Sequence, residues 1–148
     1  MIAREYLLGA ATEMHALILG YYADTEAQEG IPPLKMDWVF YANLEQQNKL
    51  FILTDRDQVG ELRGFAMYIL GNHPQHAGMP FALCNTLAVA TRHRGRGIGT
   101  QLVKEAIHYL REMDIKMMVH GHRTVYDAKP LFPRLGFELI EHIYMRML

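Results

Sequence analysis

The stretch that most constrains this chain is Leu87-Ala88-Val89-Ala90-Thr91-Arg92-His93-Arg94-Gly95-Arg96-Gly97-Ile98-Gly99-Thr100. It follows from Phe81-Ala82-Leu83-Cys84, and the run Phe81 to Val89 reads as a strand with apolar residues at both parities. That pattern predicts a central strand covered on both faces. A loop with three glycines then opens directly into a helical repeat, with Ile98, Leu102, Val103, Ala106, Leu110 and Met113 on one stripe. Physically this is an anion cradle. Glycines let the backbone approach a ligand closely, and the first amides of a helix have no intrahelical acceptor. The macrodipole adds positive potential at the same end. Arg94 and Arg96 bring charge, and Thr100 adds a hydroxyl in the first turn. The expected ligand carries a phosphate or pyrophosphate. Taken alone, the segment also fits a glycine-rich turn with solvated arginines, or an Arg-Gly patch contacting nucleic acid.

Composition narrows these readings. The 148 residues predict one domain, residues 1–148, large enough to bury roughly 70% of its unfolded surface. The formal net charge of -1 lacks the basic excess of a sequence-independent nucleic-acid binder, so nucleic acid is not an expected partner. Cys84 is the only cysteine, which excludes an internal disulfide and a cysteine-based zinc site. His120 and His122 are the closest histidine pair, with no carboxylate at ligand spacing beside them, so no metal is expected. No charged region followed by a pure apolar core marks a leader, and no run approaches the ~20 apolar residues of a membrane span. A reducing, cytoplasmic setting without a membrane partner is expected.

Along the chain, Leu7, Ala11, Met14, Leu17, Ile18 and Tyr21 predict an amphipathic helix over residues 5–21. Asp37 is a candidate N-cap for a second helix through Gln47, with Trp38, Tyr41 and Leu44 inward. Strands are predicted at Leu50 to Thr54 and Gly64 to Leu70, separated by turn chemistry at Asp55 to Gly60. After the helix from Ile98, the spacing predicts a buried strand over Ile115 to His120. A short helical segment around Ala128 to Leu135 follows, ended by Gly136. Phe137 to Met147 reads as a last strand or bent pair of strands. The order ααβββαβαβ predicts an α/β fold, a mixed central sheet flanked by helices.

The phosphate ligand is narrowed by what is missing. No Gly-Lys-Ser/Thr ending marks a P-loop, and the glycine loop follows the third predicted strand rather than the first, against a dinucleotide fingerprint. The Arg-x-x-Gly-x-Gly pattern of Arg94 to Gly99 resembles the pyrophosphate loop of the GNAT superfamily of N-acyltransferases. Leu87-Ala88-Val89 resembles the strand end that hydrogen-bonds the pantetheine arm in that family. Leu135-Gly136-Phe137 resembles the Leu-Gly-Phe closing its last helix, and Leu62-Arg63-Gly64-Phe65-Ala66 resembles a strand of its early hairpin. The resemblance covers roughly residues 50–148, and the short length is similar to compact acyltransferases of tailed bacteriophages.

The resemblance implies transfer of an acetyl group from acetyl-CoA to a primary amine, of a small molecule or a protein. The amine attacks directly through a tetrahedral intermediate, and a backbone N–H near Leu87 meets the oxyanion. The implied cofactor-binding residues are Leu87, Ala88, Val89, Arg94, Gly95, Arg96, Gly97, Ile98, Gly99 and Thr100. No covalent intermediate is needed, and Cys84 reads as packing. The strand that often carries a basic carboxylate offers Asn85 and Thr86 instead. His120, with a suitable intrinsic pKa, is the candidate base, against a structural histidine bonded to backbone. Many members place a Tyr four residues before the Leu-Gly-Phe glycine as the acid. Phe132 stands there, leaving Tyr126 or water. Asp24, Glu26 and Glu29 are candidates to draw a cationic amine, against solvated loop carboxylates. The family's first strand is expected to be absent or reduced to Met1 to Arg4 and the terminal hairpin shortened. A partner subunit would then cover free edges, giving a homodimer. A non-catalytic module that keeps the fold and the CoA site stays as the alternative.

Overall fold

The computed structural model describes residues 1–25, 32–121 and 130–148. It lays down β1 (Ile2–Glu5), α1 (Leu7–Thr25), α2 (Trp38–Gln46), β2 (Leu50–Arg56), β3 (Leu62–Asn72) and β4 (Pro80–Val89). A 3₁₀ turn (Thr91–His93), α3 (Ile98–Glu112), β5 (Met117–Val119) and α4 (Leu131–Arg134) follow. The strands form one sheet in the order β1-β2-β3-β4-β5. Its first three pairings are antiparallel, and β4 and β5 run parallel. A parallel return needs a crossover, which α3 provides.

Both faces of the sheet are covered, which explains why β2 and β3 read as unbroken apolar runs. Strand alternation sends neighbouring residues to opposite sides. Ile52, Phe65 and Met67 join Ala10, Met14 and Ile18 of α1 in one core. Phe51, Leu53, Ala66 and Tyr68 join Leu102, Ala106 and Leu110 of α3 in the other. Asp37 caps α2 as its type predicts, its carboxylate accepting the Phe40 N–H at 3.0 Å.

One expectation is sharpened and three are corrected. The first strand is the reduced one, not absent and shifted by one residue: β1 pairs Ile2 to Glu5 with Asp55 to Ile52. It is pinned by Arg56, whose guanidinium bonds Glu5 and Glu13 at 2.6 Å each, tying β1 to α1. The first helix runs beyond residue 21 to Thr25. The strand expected over Ile115 to His120 shrinks to Met117–Val119 and is half-buried, because β4 offers it a partner only at Phe81 to Leu83. The last strand is absent: residues 137–148 join no ladder, and Leu139, Ile140, Ile143 and Tyr144 are exposed. An apolar run makes a segment strand-competent, but a strand exists only once its backbone pairs with an edge. The short helix before it is Leu131–Arg134, with Gly136 at φ +81° as its C′ residue; Ala128 lies outside the described residues.

Candidate active site

The site begins with an irregularity in β4. Met67 pairs with Thr86, but the next residue, Tyr68, pairs with Cys84, so Asn85 is an extra residue bulged out of the β3–β4 ladder. A bulge bends its strand. On the other side, the β4–β5 register ends at Leu83 with Val119, one residue before the bulge pair. From Cys84 onward no strand among the described residues pairs with the β5-side edge of β4.

Backbone alternation says which groups line that edge. Ala90 N–H donates to Arg63 O at 2.9 Å, and Gly64 faces Val89 in the register. Opposed antiparallel residues alternate between bonded and non-bonded pairs. Ala88 therefore spends its N–H and C=O on β3, while Leu87 and Val89 direct theirs to the open edge. Arg94 agrees with this, since its Nε donates to Val89 O at 3.0 Å.

The open edge runs into the glycine loop. Gly95 and Gly97 have φ of +73° and +79°, and a Cβ on either would meet nothing within 4 Å, so the loop borders open space. Gly97 is the N-cap of α3 and supplies no side-chain cap. The amides of Gly95 to Thr100 have no backbone acceptor among the described residues. Gly64 sets the position of this helix end: a Cβ there would lie 3.0 Å from Ala88 O and 3.2 Å from the Ile98 side chain. Its absence lets the start of α3 lie against the β3–β4 pair.

The two arginines have different surroundings. Arg96 is exposed and makes no ion pair or hydrogen bond among the described residues. Arg94 is held from inside: Nη1 lies 3.1 Å from Asp24 Oδ2, and the guanidinium stands 5.7 Å over the Tyr21 ring. Asp24 Oδ2 also accepts from Thr91 Oγ1 at 2.7 Å. Asp24, considered as an attractor for the amine, thus buckles the end of α1 to both ends of the loop. Glu26 and Glu29 lie outside the described residues, as does Tyr126.

Where β5 ends, the cleft is lined by aromatic rings. The Tyr68 hydroxyl and His120 Nε2 are 3.2 Å apart, and the imidazole lies 5.2 Å from the Phe132 ring and 5.1 Å from Phe137. Burial pushes His120 down to about 4, so the ring is neutral near pH 7. Burial also raises the Tyr68 hydroxyl, and the Cys84 thiol is pushed up to about 12. Cys84 is thus a protonated packing group, as its strand position suggested.

Sequence reading missed one participant. The Tyr41 hydroxyl donates to Asn85 Oδ1 at 2.9 Å, and Thr86 Oγ1 donates to the same oxygen at 3.2 Å. Helical spacing marked Tyr41 as inward-facing. Nothing in the sequence said that its hydroxyl would meet a strand residue 44 positions away.

Among the described residues, no group of three or more His, Cys, Asp or Glu is placed to hold a metal ion, and no helix is long and apolar enough to cross a membrane. Residues 12–137 match the model of the acetyltransferase (GNAT) family. The chain is 33% identical over 122 residues to a mycothiol acetyltransferase of Nocardia farcinica; the match covers 82% of this chain and 36% of that protein. Its fold is shared with an aminoglycoside acetyltransferase from an uncultured soil metagenomic sample, solved in complex with sisomicin (TM-score 0.73, 19% identity, 100% and 96% of the two chains). It is shared too with a ribosomal-protein-alanine N-acetyltransferase of Brucella melitensis (TM-score 0.72, 21% identity, 100% and 99%).

Proposed function

The chain belongs to the acetyltransferase (GNAT) family, and on that premise we propose that residues 1–148 act as one domain that acetylates a primary amine from acetyl-CoA. One observation carries the reading: the β4 edge left unpaired by the described residues leads, through the 3₁₀ turn at Thr91–His93, to amides that lack acceptors at the start of α3. Leu87 and Val89 would hydrogen-bond the amide-bearing arm of the thioester. The amides of Gly95 to Thr100, with Arg96 and the Thr100 hydroxyl, would hold the pyrophosphate. Ala88 contributes packing, and Arg94 shapes the loop.

The neutral amine attacks the thioester carbonyl, the new C–N bond forms, and the C–S bond breaks to release the thiolate. The Leu87 N–H, aimed out of the sheet, faces the developing oxyanion. Water carries the amine proton away. A histidine held near 4 by burial is a weak base for an alkylammonium, so His120 shapes the cleft beside Phe132. The acceptor is a small-molecule or protein amine, the setting is cytoplasmic, and a homodimer would cover the strand edges. The absence of any hydroxyl on Phe132 favours a second reading, a CoA-binding module without turnover.

Calorimetry with acetyl-CoA, followed by free-thiol release over an amine library, separates the readings. Acetyl-CoA at 100 times its Kd should stabilise the fold by about 2.7 kcal/mol. Binding with thiol release supports the transferase, and binding without release for any amine supports the module. Failure to bind removes both.

A further inference from the structure

The bulge in β4 has a second consequence, on the face opposite α3. Cys84 packs in the α3-side core and Ala88 in the α1-side core. Alternation forward from Cys84 turns Asn85 toward α1 and α2, and alternation back from Ala88 turns Thr86 the same way. Two consecutive side chains therefore share one face, which a regular strand forbids.

Asn85 is exposed, and an exposed asparagine ordinarily swings between rotamers. Here its carboxamide is fixed. The oxygen has two lone pairs and both are used, by Tyr41 and Thr86. Tyr41 is itself 9% exposed, with Phe40 at 5.3 Å and Trp38 at 5.9 Å around its ring. A buried phenol needs a partner, but meeting that need does not require an exposed amide. With the oxygen so engaged, the Nδ2 hydrogens remain to donate, and no described residue accepts them. The hydrogen-bond partners of Asn85 among the described residues, a phenol and a threonine hydroxyl, are uncharged.

We infer that Asn85, oriented by Tyr41 and Thr86, is the residue that recognises the acceptor, and that it selects amines carrying a neutral oxygen a few bonds from the nitrogen, as in 1,2-amino alcohols and amino sugars. The inference rests on the acetyltransferase reading. Asn85 lies two residues from Leu87, about 7 Å along a strand. An amine reaching the carbonyl at Leu87 thus brings its vicinal oxygen toward the amide N–H groups. A carboxylate or phosphate on the acceptor would call for a charged partner, and the amide's hydrogen-bond partners among the described residues supply none.

The test uses three amines on one ring: trans-2-aminocyclohexanol, cyclohexylamine and trans-1,2-diaminocyclohexane. Each is measured for turnover and for affinity on the CoA-saturated protein, so that recognition is read even where transfer is slow. The parent should favour the amino alcohol over cyclohexylamine by about tenfold, the worth of one hydrogen bond to a neutral oxygen. Asn85→Ala should erase that preference through the amine's KM while the KM of acetyl-CoA stays the same. Asn85→Asp, which turns donors into acceptors, should favour the diamine over the amino alcohol. Tyr41→Phe should weaken the preference by roughly threefold, the amide being present but unheld. If Asn85→Ala lowers all three amines equally, or only lowers the melting temperature, Asn85 merely satisfies Tyr41 and the inference is wrong. Failure of the parent to bind acetyl-CoA is a different result, and overturns the underlying reading first.

Discussion

The two ends of β4 are built from different materials. At the Val89 end the groups proposed to bind belong to the backbone: amides freed by glycines and by the first turn of α3. At the Asn85 end they are side chains, brought together from a strand and from a helix 44 residues earlier. A backbone site is local in sequence, and its chemistry survives most changes of side chain. A side-chain site is distant in sequence and can change specificity by one substitution. The contrast suits an enzyme family with a constant donor and varied acceptors.

The largest effect should come from breaking the backbone end. Gly97→Glu puts a charge into the cradle and strains a residue at φ +79°. It should weaken CoA by about 100-fold or more, two lost charge-assisted bonds at ~1.5–3 kcal/mol each. Gly97→Ala separates strain from charge. Open space around the Cβ predicts ~1 kcal/mol of lost stability and a small change in affinity. Equal affinities for the glutamate and alanine variants by calorimetry would move the ligand elsewhere.

A second comparison asks whether that end is purely backbone. Arg94→Ala and Asp24→Ala should each weaken CoA by about tenfold, and the double variant by little more, since both act through one buckle. Arg96→Ala should produce a loss that shrinks in high salt, as an exposed charge does. If Asp24→Ala leaves affinity alone while Arg94→Ala does not, Arg94 meets the ligand directly.

The smallest effect at neutral pH belongs to His120. His120→Gln should change kcat/KM by less than about threefold, with no inflection near 6.5 in the parent's profile. Its contribution is to acid sensitivity. The folded value near 4 lies below the unfolded value near 6.5. The contribution is therefore complete above pH 6.5 and is lost as pH falls toward 4, by at most about 3 kcal/mol. Melting temperatures of parent and variant between pH 7 and 4.5 should converge. Parallel curves would place His120 in water.

Much of this was legible beforehand, for the same reason that the two ends differ. Asp37, the stripe from Ile98 to Leu110 and the glycines at 95 and 97 act through neighbours in sequence, and each does what its residue type predicts. The misreadings involve distant partners. Residues 137–148 are apolar enough to read as a strand, but they join no ladder and leave Leu139, Ile140, Ile143 and Tyr144 exposed. Asp24 was weighed for its charge, while its position beside Arg94 depends on where α1 ends. The histidine's ordinary pKa suggested a base, but Phe132 and Phe137 remove the water that value assumes. No spacing rule marks Asn85, because a bulge is a relation between two strands.

That bulge resembles a dislocation in a crystal, one extra half-row that ends inside an ordered array. Substitution cannot heal such a defect. Every side chain along the cleft can be exchanged and the line of misfit remains, so the opening is inherited as a count of residues and not as a chemistry. Deletion is another matter. With Asn85 removed, Cys84 and Thr86 would follow one another on opposite faces, in phase with both cores. The ladder to β3 would become regular, and the strand would be free to continue its pairing with β5. A chain one residue shorter would keep its fold and lose its mouth.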